Sequence, residues 1–400
     1  VVEVETYIKI GENAANKNIT IRGIKFDAEK QGPTGTTANT YSHFIRVYSA
    51  GTLDFEDCEF CNTQANKVIK VEADKHLGYL KINNCYFHDG NNSAVHIYQA
   101  TDAHACDKIE ITNSTFANYS GFSDGLVEVF TKGGALAADP ADDAEFTMDH
   151  CTFYNYIKTS DNTYGFVDVR KSSKTTVSNC VFMNPTIPDG SYNAYATYTY
   201  GGTVTNCIYH NTRGNRVSPT GSSDADPLFI DAANGDYSLA GNYETMTISP
   251  ARNAGTDGSN LGDPRWHSAE VLPSTDFATP YAFVGAKAIV SDKMQLNGDN
   301  YIASTASGGS AYWKINITKA CAVQVTLNMS DAVVTGHNYQ VEIFDAENNS
   351  IGTLNEGGWH NNTDDKTLTG NIQIPSAGNY KIVLTNNESG TTSVIKGITL

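Results

Sequence analysis

The chain has 400 residues, with 44 Asp and Glu against 27 Lys and Arg and a formal net charge of −17. That balance argues against nucleic acid as a partner, because affinity for a phosphate backbone rests on clustered basic residues. No apolar run approaches the ~18 residues of a membrane span, and the first residues, VVEVETYIKI, read as an opening strand rather than a leader, so any signal peptide or lipid anchor is expected to have been removed.

Along the first half of the chain one pattern returns seven times. Anchored on Ile24, Cys58, Cys85, Ser114, Cys151, Cys180 and Cys207, its copies are 34, 27, 29, 37, 29 and 27 residues apart. Two residues after each anchor stands Phe26, Phe60, Phe87, Phe116, Phe153, Phe182 or Tyr209, and three before it Ile21, Phe55, Ile82, Ile111, Met148, Val177 or Val204. Period-two apolar positions predict strands with one buried face, and recurrence at this period predicts stacked units. Directly before the anchor come Asp57, Asn84, Asn113, His150, Asn179 and Asn206, and four after it Asn62, Asp89, Asn118, Asn155, Asn184 and Asn211. Such side chains bond local backbone and tolerate turn geometry, which places them at corners between flat faces. A further strand opens each copy, in HFIRVYS, KVIKVEA, SAVHIYQ, GLVEVFT, GFVDVRK and AYATYTY. Three strands per copy predict a right-handed parallel β-helix of about seven or more coils, the hand following the general preference of parallel crossovers.

These N-C-x-F rungs resemble the parallel β-helix proteins of the pectate-lyase-like superfamily. The stretch DADPLFIDAANGDYSLAGNYETMTISPARNAGTDGSNLGDPRW, Asp224 to Trp266, is similar to the end of secreted β-helix proteins of the Bacteroidetes glycan-utilisation type. The resemblance implies a secreted, periplasmic or cell-surface setting and a polysaccharide partner. Five of the eight cysteines fall in the inward anchor column, where parallel neighbours point the same way and fit a disulfide torsion poorly. Reduced core thiols are therefore expected.

The helix is expected over 1–266, a Pro-, Ser- and Thr-bearing linker over 267–280, and an antiparallel β-sandwich over 281–400, built from YWKINI, AVQVTLNM, NYQVEIFDA, GNIQIPSAGNYKIVLTN and VIKGITL. The fold class is thus all-β. This second part resembles jelly-roll carbohydrate-binding modules, with Trp359 as the loop aromatic that could stack on a sugar and Trp313 assigned to the core. The chain is read as a monomer.

In the strand that opens each copy, residues alternating with the buried ones must face out. One outward column reads Arg46, Lys70, His96, Glu128, Asp168, Tyr198, and the next Tyr48, Glu72, Tyr98, Phe130, Arg170, Tyr200. Charged and aromatic residues on a flat sheet suit an extended glycan, with Arg46, Tyr48, Tyr98, Phe130, Tyr198, Tyr200 and Trp359 as sugar contacts. The resemblance implies that this sheet carries the cleft of a polysaccharide lyase. Cleaving a uronate glycan by β-elimination would then use Lys70 or His96 as base, Arg170 to neutralise the carboxylate or donate a proton, and Glu128 with Asp168 to hold Ca2+. No organic cofactor is expected. The Asp cluster and arginine signature of calcium-dependent pectate lyases are absent, as is any NTD or DD followed by the GHG of pectin-type hydrolases. A non-catalytic surface glycan-binding protein is the alternative, a glycoside hydrolase the third reading, and charges that neutralise one another across rungs the plainest account of the column.

Overall fold

The structure, a computed structural model, describes residues 2–3, 7–28, 43–63, 67–98, 105–121, 125–130, 144–158, 165–170, 174–186, 195–199, 201–212, 214, 219–291, 293–297, 301–304, 306–329, 338–355, 367–387 and 393–400. It forms two compact units, Val1–Ala240 with Ile248–Ser268, and Gly241–Thr247 with Ala269–Leu400. The fold is all-β: among the described residues the only helical elements are short 3-10 turns.

In the first unit the strands that follow the seven anchors join Val2–Glu3 in one parallel sheet of eight, running from Val2–Glu3 through Lys25–Asp27, Glu59–Cys61, Tyr86–Asn91, Thr115–Gly121, Thr152–Lys158 and Val181–Met183 to Ile208–His210. The other two strands of each copy belong to a parallel sheet of twelve. In His43–Glu56 and Lys67–Asn83 they run on as one long strand; in the next copy they are separate, as Ser93–Tyr98 and Cys106–Thr112.

Copies stack in register, which is what turns the repeat into a ladder. Phe26, Phe60, Phe87, Phe116, Phe153, Phe182 and Tyr209 are successive strand partners. From Phe26 to Phe182 their rings stack at 4.9, 4.5, 4.9, 4.8 and 4.8 Å, the strand spacing itself. The corners behave as their residue types require. Asp57, Asn84, Asn113, His150, Asn179 and Asn206 take φ between 48° and 55°, and Gly23 supplies the same left-handed corner in the first copy at 66°. Asn62, Asp89, Asn118, Asn155 and Asn211 do likewise on the far side of the rung. Amides bond from rung to rung, Asn155 Nδ2 to Asn118 Oδ1 at 3.0 Å and Asn118 Nδ2 to Asp89 Oδ1 at 3.2 Å.

All eight cysteines are free thiols. In the anchor column Cys58, Cys85 and Cys151 donate to the carbonyls of Ile21, Phe55 and Ile111 on the preceding copy, at 3.3, 3.4 and 3.5 Å. The closing segment of the unit covers part of the outer face of the eight-stranded sheet. Tyr237 packs against Ala117 and Tyr154, and Leu239, Ala251 and Leu261 pack against Val181 and Ile208. Asp263 accepts from Thr115 Oγ1 at 2.6 Å, while Arg265 reaches Asn84 O at 2.7 Å.

The second unit holds two six-stranded sheets, antiparallel except at one short edge pair. One is built around Gly309–Ile317, Gly378–Asn386 and Tyr339–Phe344, the other around Ser393–Thr399, Cys321–Met329 and Thr367–Ile374. Alternate residues of both enter one apolar core, including Trp313, Ile315, Val325, Leu327, Val341, Ile343, Ile374 and Ile382. Trp313 is buried and donates from Nε1 to Val284 O at 3.0 Å. Within the segment 267–280, Ser274–Thr275 pair with Asn316 and Ile317, so these residues extend a sheet of this unit.

Because each ring of the Phe ladder is packed above and below by another, removing one from the middle leaves a cavity that its neighbours cannot close. Phe116→Ala should cost about 3–5 kcal/mol, read as a lower urea midpoint in circular dichroism, whereas Ile157→Ala, at an exposed position, should shift it little.

Candidate functional site

The outward column of the long sheet forms a single file. Lys9 pairs with Arg46, Arg46 with Lys70, Lys70 with His96, His96 with Glu128, Glu128 with Asp168, and Asp168 with Tyr198. Each step is one strand spacing, about 4.8 Å. The apolar residues on either side of each, Ile45 and Val47, Ile69 and Val71, Val95 and Ile97, Val127 and Val129, Val167 and Val169, are buried. In the second column Phe130 pairs with Tyr98 and Arg170, although the side chains of Tyr98 and Phe130 are not described. Tyr200 and Trp359 lie outside the described residues. At Tyr48 the ladder slips register between Val47 and Ser49.

The column differs from an open, solvated face. His96 is 7 % exposed, Glu128 3 % and Asp168 0 %, so these three are enclosed while Arg46, Lys70 and Tyr198 remain partly accessible. Charged groups at such depth are costly unless matched. Arg170 supplies the match: its Nε lies 3.1 Å from both oxygens of Asp168 and its Nη2 2.6 Å from Oδ2. Nη2 also stands 3.8 Å from Glu128 Oε1, and His96 Nε2 is 3.6 Å from Glu128 Oε2. The last distance is too long for a hydrogen bond. Gly125 is required beside this group, since a Cβ there would meet Asp168 Cβ at 2.9 Å.

Calcium at Glu128 and Asp168, expected from the two acidic side chains, does not fit. A Ca2+ ion takes six to eight oxygen ligands, and here both Asp168 oxygens are already turned to a guanidinium whose positive charge also faces Glu128. Arg170, expected to neutralise a uronate carboxylate or donate a proton, is paired with Asp168 here.

Around the first copies the file has a different character. Arg46 is paired with Glu72, whose second oxygen lies 3.9 Å from Lys70 Nζ. Burial would raise the Glu72 carboxyl, but the Arg46 hydrogen bond and the charges of Lys70 and Arg46 outweigh it and hold it low. Lys70 Nζ donates to His43 Nε2 at 2.9 Å. Tyr48 carries Lys9 over its ring at 4.3 Å and Arg46 at 5.7 Å, and Tyr7 carries Arg46 at 5.1 Å. His43, Tyr7 and Lys9 escape a reading that starts from the column alone. The available signal was their position on the strands Ile8–Ile10 and His43–Glu56 or, for Tyr7, directly before the first of them.

In the second unit a small depression is lined by Tyr281, Phe283, Trp313 and Lys314 among others. Lys314 is paired there with Glu270 at 2.6 Å.

No protein-family model matches the chain, and no curated protein matches it. Among solved structures it is similar to a family 35 carbohydrate-binding module from Clostridium thermocellum, at 14% identity and TM-score 0.24, over 30% of this chain and 97% of that one. It is similar also to the C-terminal family 6 carbohydrate-binding module of a marine laminarinase from Zobellia galactanivorans, at 17% identity and TM-score 0.24, over 30% and 98%. A third similarity is to an exo-β-1,3-galactanase from Phanerochaete chrysosporium, at 11% identity and TM-score 0.24, over 35% and 32%.

Burial first, then the charge of Lys70, pulls the His43 imidazole down to about 4. Its ordinary value is about 6.5, so the folded protein binds fewer protons here than the unfolded chain between those limits. The resulting stability is complete above about 6.5 and is lost as pH falls toward 4, amounting to at most about 3 kcal/mol. The His43 ring proton in NMR should therefore titrate near 4, and His43→Gln should flatten the acid limb of the thermal-stability profile. A midpoint near 6.5 would contradict the packing of this cluster.

Proposed function

We propose that this chain is a right-handed parallel β-helix of the pectate-lyase-like kind carrying a jelly-roll-like β-sandwich, and that it is a secreted or surface-held protein acting on an acidic polysaccharide. The observation that carries this reading is the gathering of Lys9, Arg46 and Lys70 in one file with the rings of Tyr7 and Tyr48. Cations attract the carboxylates of a uronate chain and aromatic faces take its sugar rings, so a strongly acidic protein still has a local place to hold an anionic polymer.

On this reading Arg46 neutralises a uronate carboxylate, making the α-proton more acidic. Lys70, held by its hydrogen bond to His43, acts only after losing its own proton to solvent: as the neutral amine it takes the α-proton while the glycosidic C–O bond breaks, the C=C bond forms and the leaving oxygen is protonated by water. The His96–Glu128–Asp168–Arg170 group acts as a rigid wall beside the reacting sugar. Tyr198, the next partner in the file, extends the sugar contact.

Non-catalytic glycan binding is the second reading, and the matched pairs favour it: Arg46 sits on Glu72 and Arg170 on Asp168. The hydrolase reading loses its carboxylate pair, since inverting or retaining chemistry needs two carboxyls free to work at a set separation, and Asp168 is clamped.

Incubation with a panel of uronate glycans, followed in the ultraviolet for unsaturated products, separates the first two readings. Lyase action predicts product with at least one acidic glycan and a loss of about 10²-fold or more in turnover for Lys70→Ala, with Arg46→Ala raising KM. Binding to an acidic glycan without product would leave the binder standing and remove the lyase. Absence of both would remove the acidic-polysaccharide reading itself.

A further inference from the structure

The outer face of the eight-stranded sheet carries a second cluster, far from the file just described in both composition and setting. On Glu59–Cys61, the residues Glu59 and Cys61 alternate with Phe60, which joins the apolar core while the equally buried Cys61 does not, so Glu59 and Cys61 share the other side. On the neighbouring strand Tyr86–Asn91, His88 is the direct partner of Cys61. A carboxylate oxygen of Glu59, the Cys61 sulfur and a His88 ring nitrogen all lie within 4.8 Å of one another. His88 Nε2 is 3.0 Å from Glu59 Oε1.

We propose that Glu59, Cys61 and His88 form a binding site for a thiophilic divalent cation of the Zn2+ type, joining the second and third copies of the repeat. The donor set is the first reason. A thiolate, an imidazole and a carboxylate together select zinc-like ions over calcium or magnesium, which prefer oxygen alone. Three protein ligands leave a fourth, tetrahedral position open to water.

The surroundings of the cluster are the second reason. A metal-binding histidine commonly hands its other nitrogen to a carboxylate, which fixes tautomer and ring orientation. His88 Nδ1 does so, 2.7 Å from Asp89 Oδ2. The sulfur is served as well: Asn62 Nδ2 lies 3.7 Å from Cys61 Sγ and 3.0 Å from Asp27 Oδ1, and Asp27 is the register partner of Cys61 on the preceding strand. Both supporting residues are corner residues, with φ of 57° at Asn62 and 52° at Asp89. Their positions are therefore dictated by the fold and do not depend on the ion.

Lys25 is the competitor. Its ammonium lies 2.7 Å from Glu59 Oε1, with about a third of each side chain exposed. An exposed pair of this kind is weak and its flexible stem can swing to solvent, unlike the buried Arg170 fork on Asp168. Further along the same column stand Ala117 and Tyr154, which are covered by Tyr237. The donor set is thus confined to the copies that precede this cover.

Zn2+ alone, titrated into the metal-stripped full chain by calorimetry, should bind at about one equivalent and raise the thermal midpoint. Co2+ in its place should give a thiolate-to-metal charge-transfer band and visible bands of a tetrahedral ion. Cys61→Ser and His88→Gln should each weaken binding by about tenfold or more, with the cobalt thiolate band lost in Cys61→Ser, and Asp89→Asn, a positioning change, should weaken it by about 10-fold. Lys25→Met should tighten it. Circular dichroism of each variant separates loss of the site from loss of the fold, and the exposed pair His76 and Asp107 provides a control, since Asp107→Asn should change nothing. No Zn2+ binding by the wild-type chain, or binding that survives intact in the folded Cys61→Ser and His88→Gln variants, overturns the proposal.

Discussion

Successive copies of the repeat lie on one another at the spacing of hydrogen-bonded strands, and nearly everything else in the first unit follows from that single constraint. At ~4.8 Å a side chain meets its own counterpart, so each column must be tolerable when stacked on itself. Phenylalanine satisfies the rule inside, ring upon ring. Asn satisfies it at the corners because it accepts left-handed backbone and carries both a donor and an acceptor for the next rung. The anchor cysteines meet it as small thiols bonded to carbonyls of the preceding copy.

The same constraint acts on the outer faces, where it produces chemistry instead of packing. Like charges stacked at one strand spacing repel, and opposite charges pair. The file from Lys9 to Tyr198 shows both: cations share Glu72 and aromatic rings near its start, and carboxylates at Glu128 and Asp168 converge on Arg170. Enclosure of His96, Glu128 and Asp168 turns the second half into a matched, buried group, while the first half keeps accessible cations. On the opposite sheet, the cover formed by Tyr237 and its neighbours leaves the early copies with a set of soft and hard donors at Glu59, Cys61 and His88.

Legibility from the sequence varied with how local the governing physics is. The strands, the inward Phe column and both sets of corners could be read because each depends on period-two alternation and on turn residues that recur with the copies. Trp313 could be assigned to the core because it alternates with Ile315. Arg170 could be placed beside the column by counting, but its fork onto Asp168 could not, since Arg170 is two residues along the same strand and only the rotamers bring the groups together. His43 was missed for a related reason: it precedes the apolar alternation of its strand and becomes significant only when Lys70 of the next copy lies against it.

By itself, the sequence determined that this is an all-β chain in two parts, with one wall of register-matched polar residues outside an apolar ladder. Periodicity carries that information, because a repeated unit must bury the same positions each time. The tertiary structure alone decided which of those outward residues are enclosed, which cations are held by carboxylates, and which donors from separate copies converge. Those outcomes depend on side-chain reach over a few ångströms and on the chain that covers each face, quantities that no spacing along the sequence encodes.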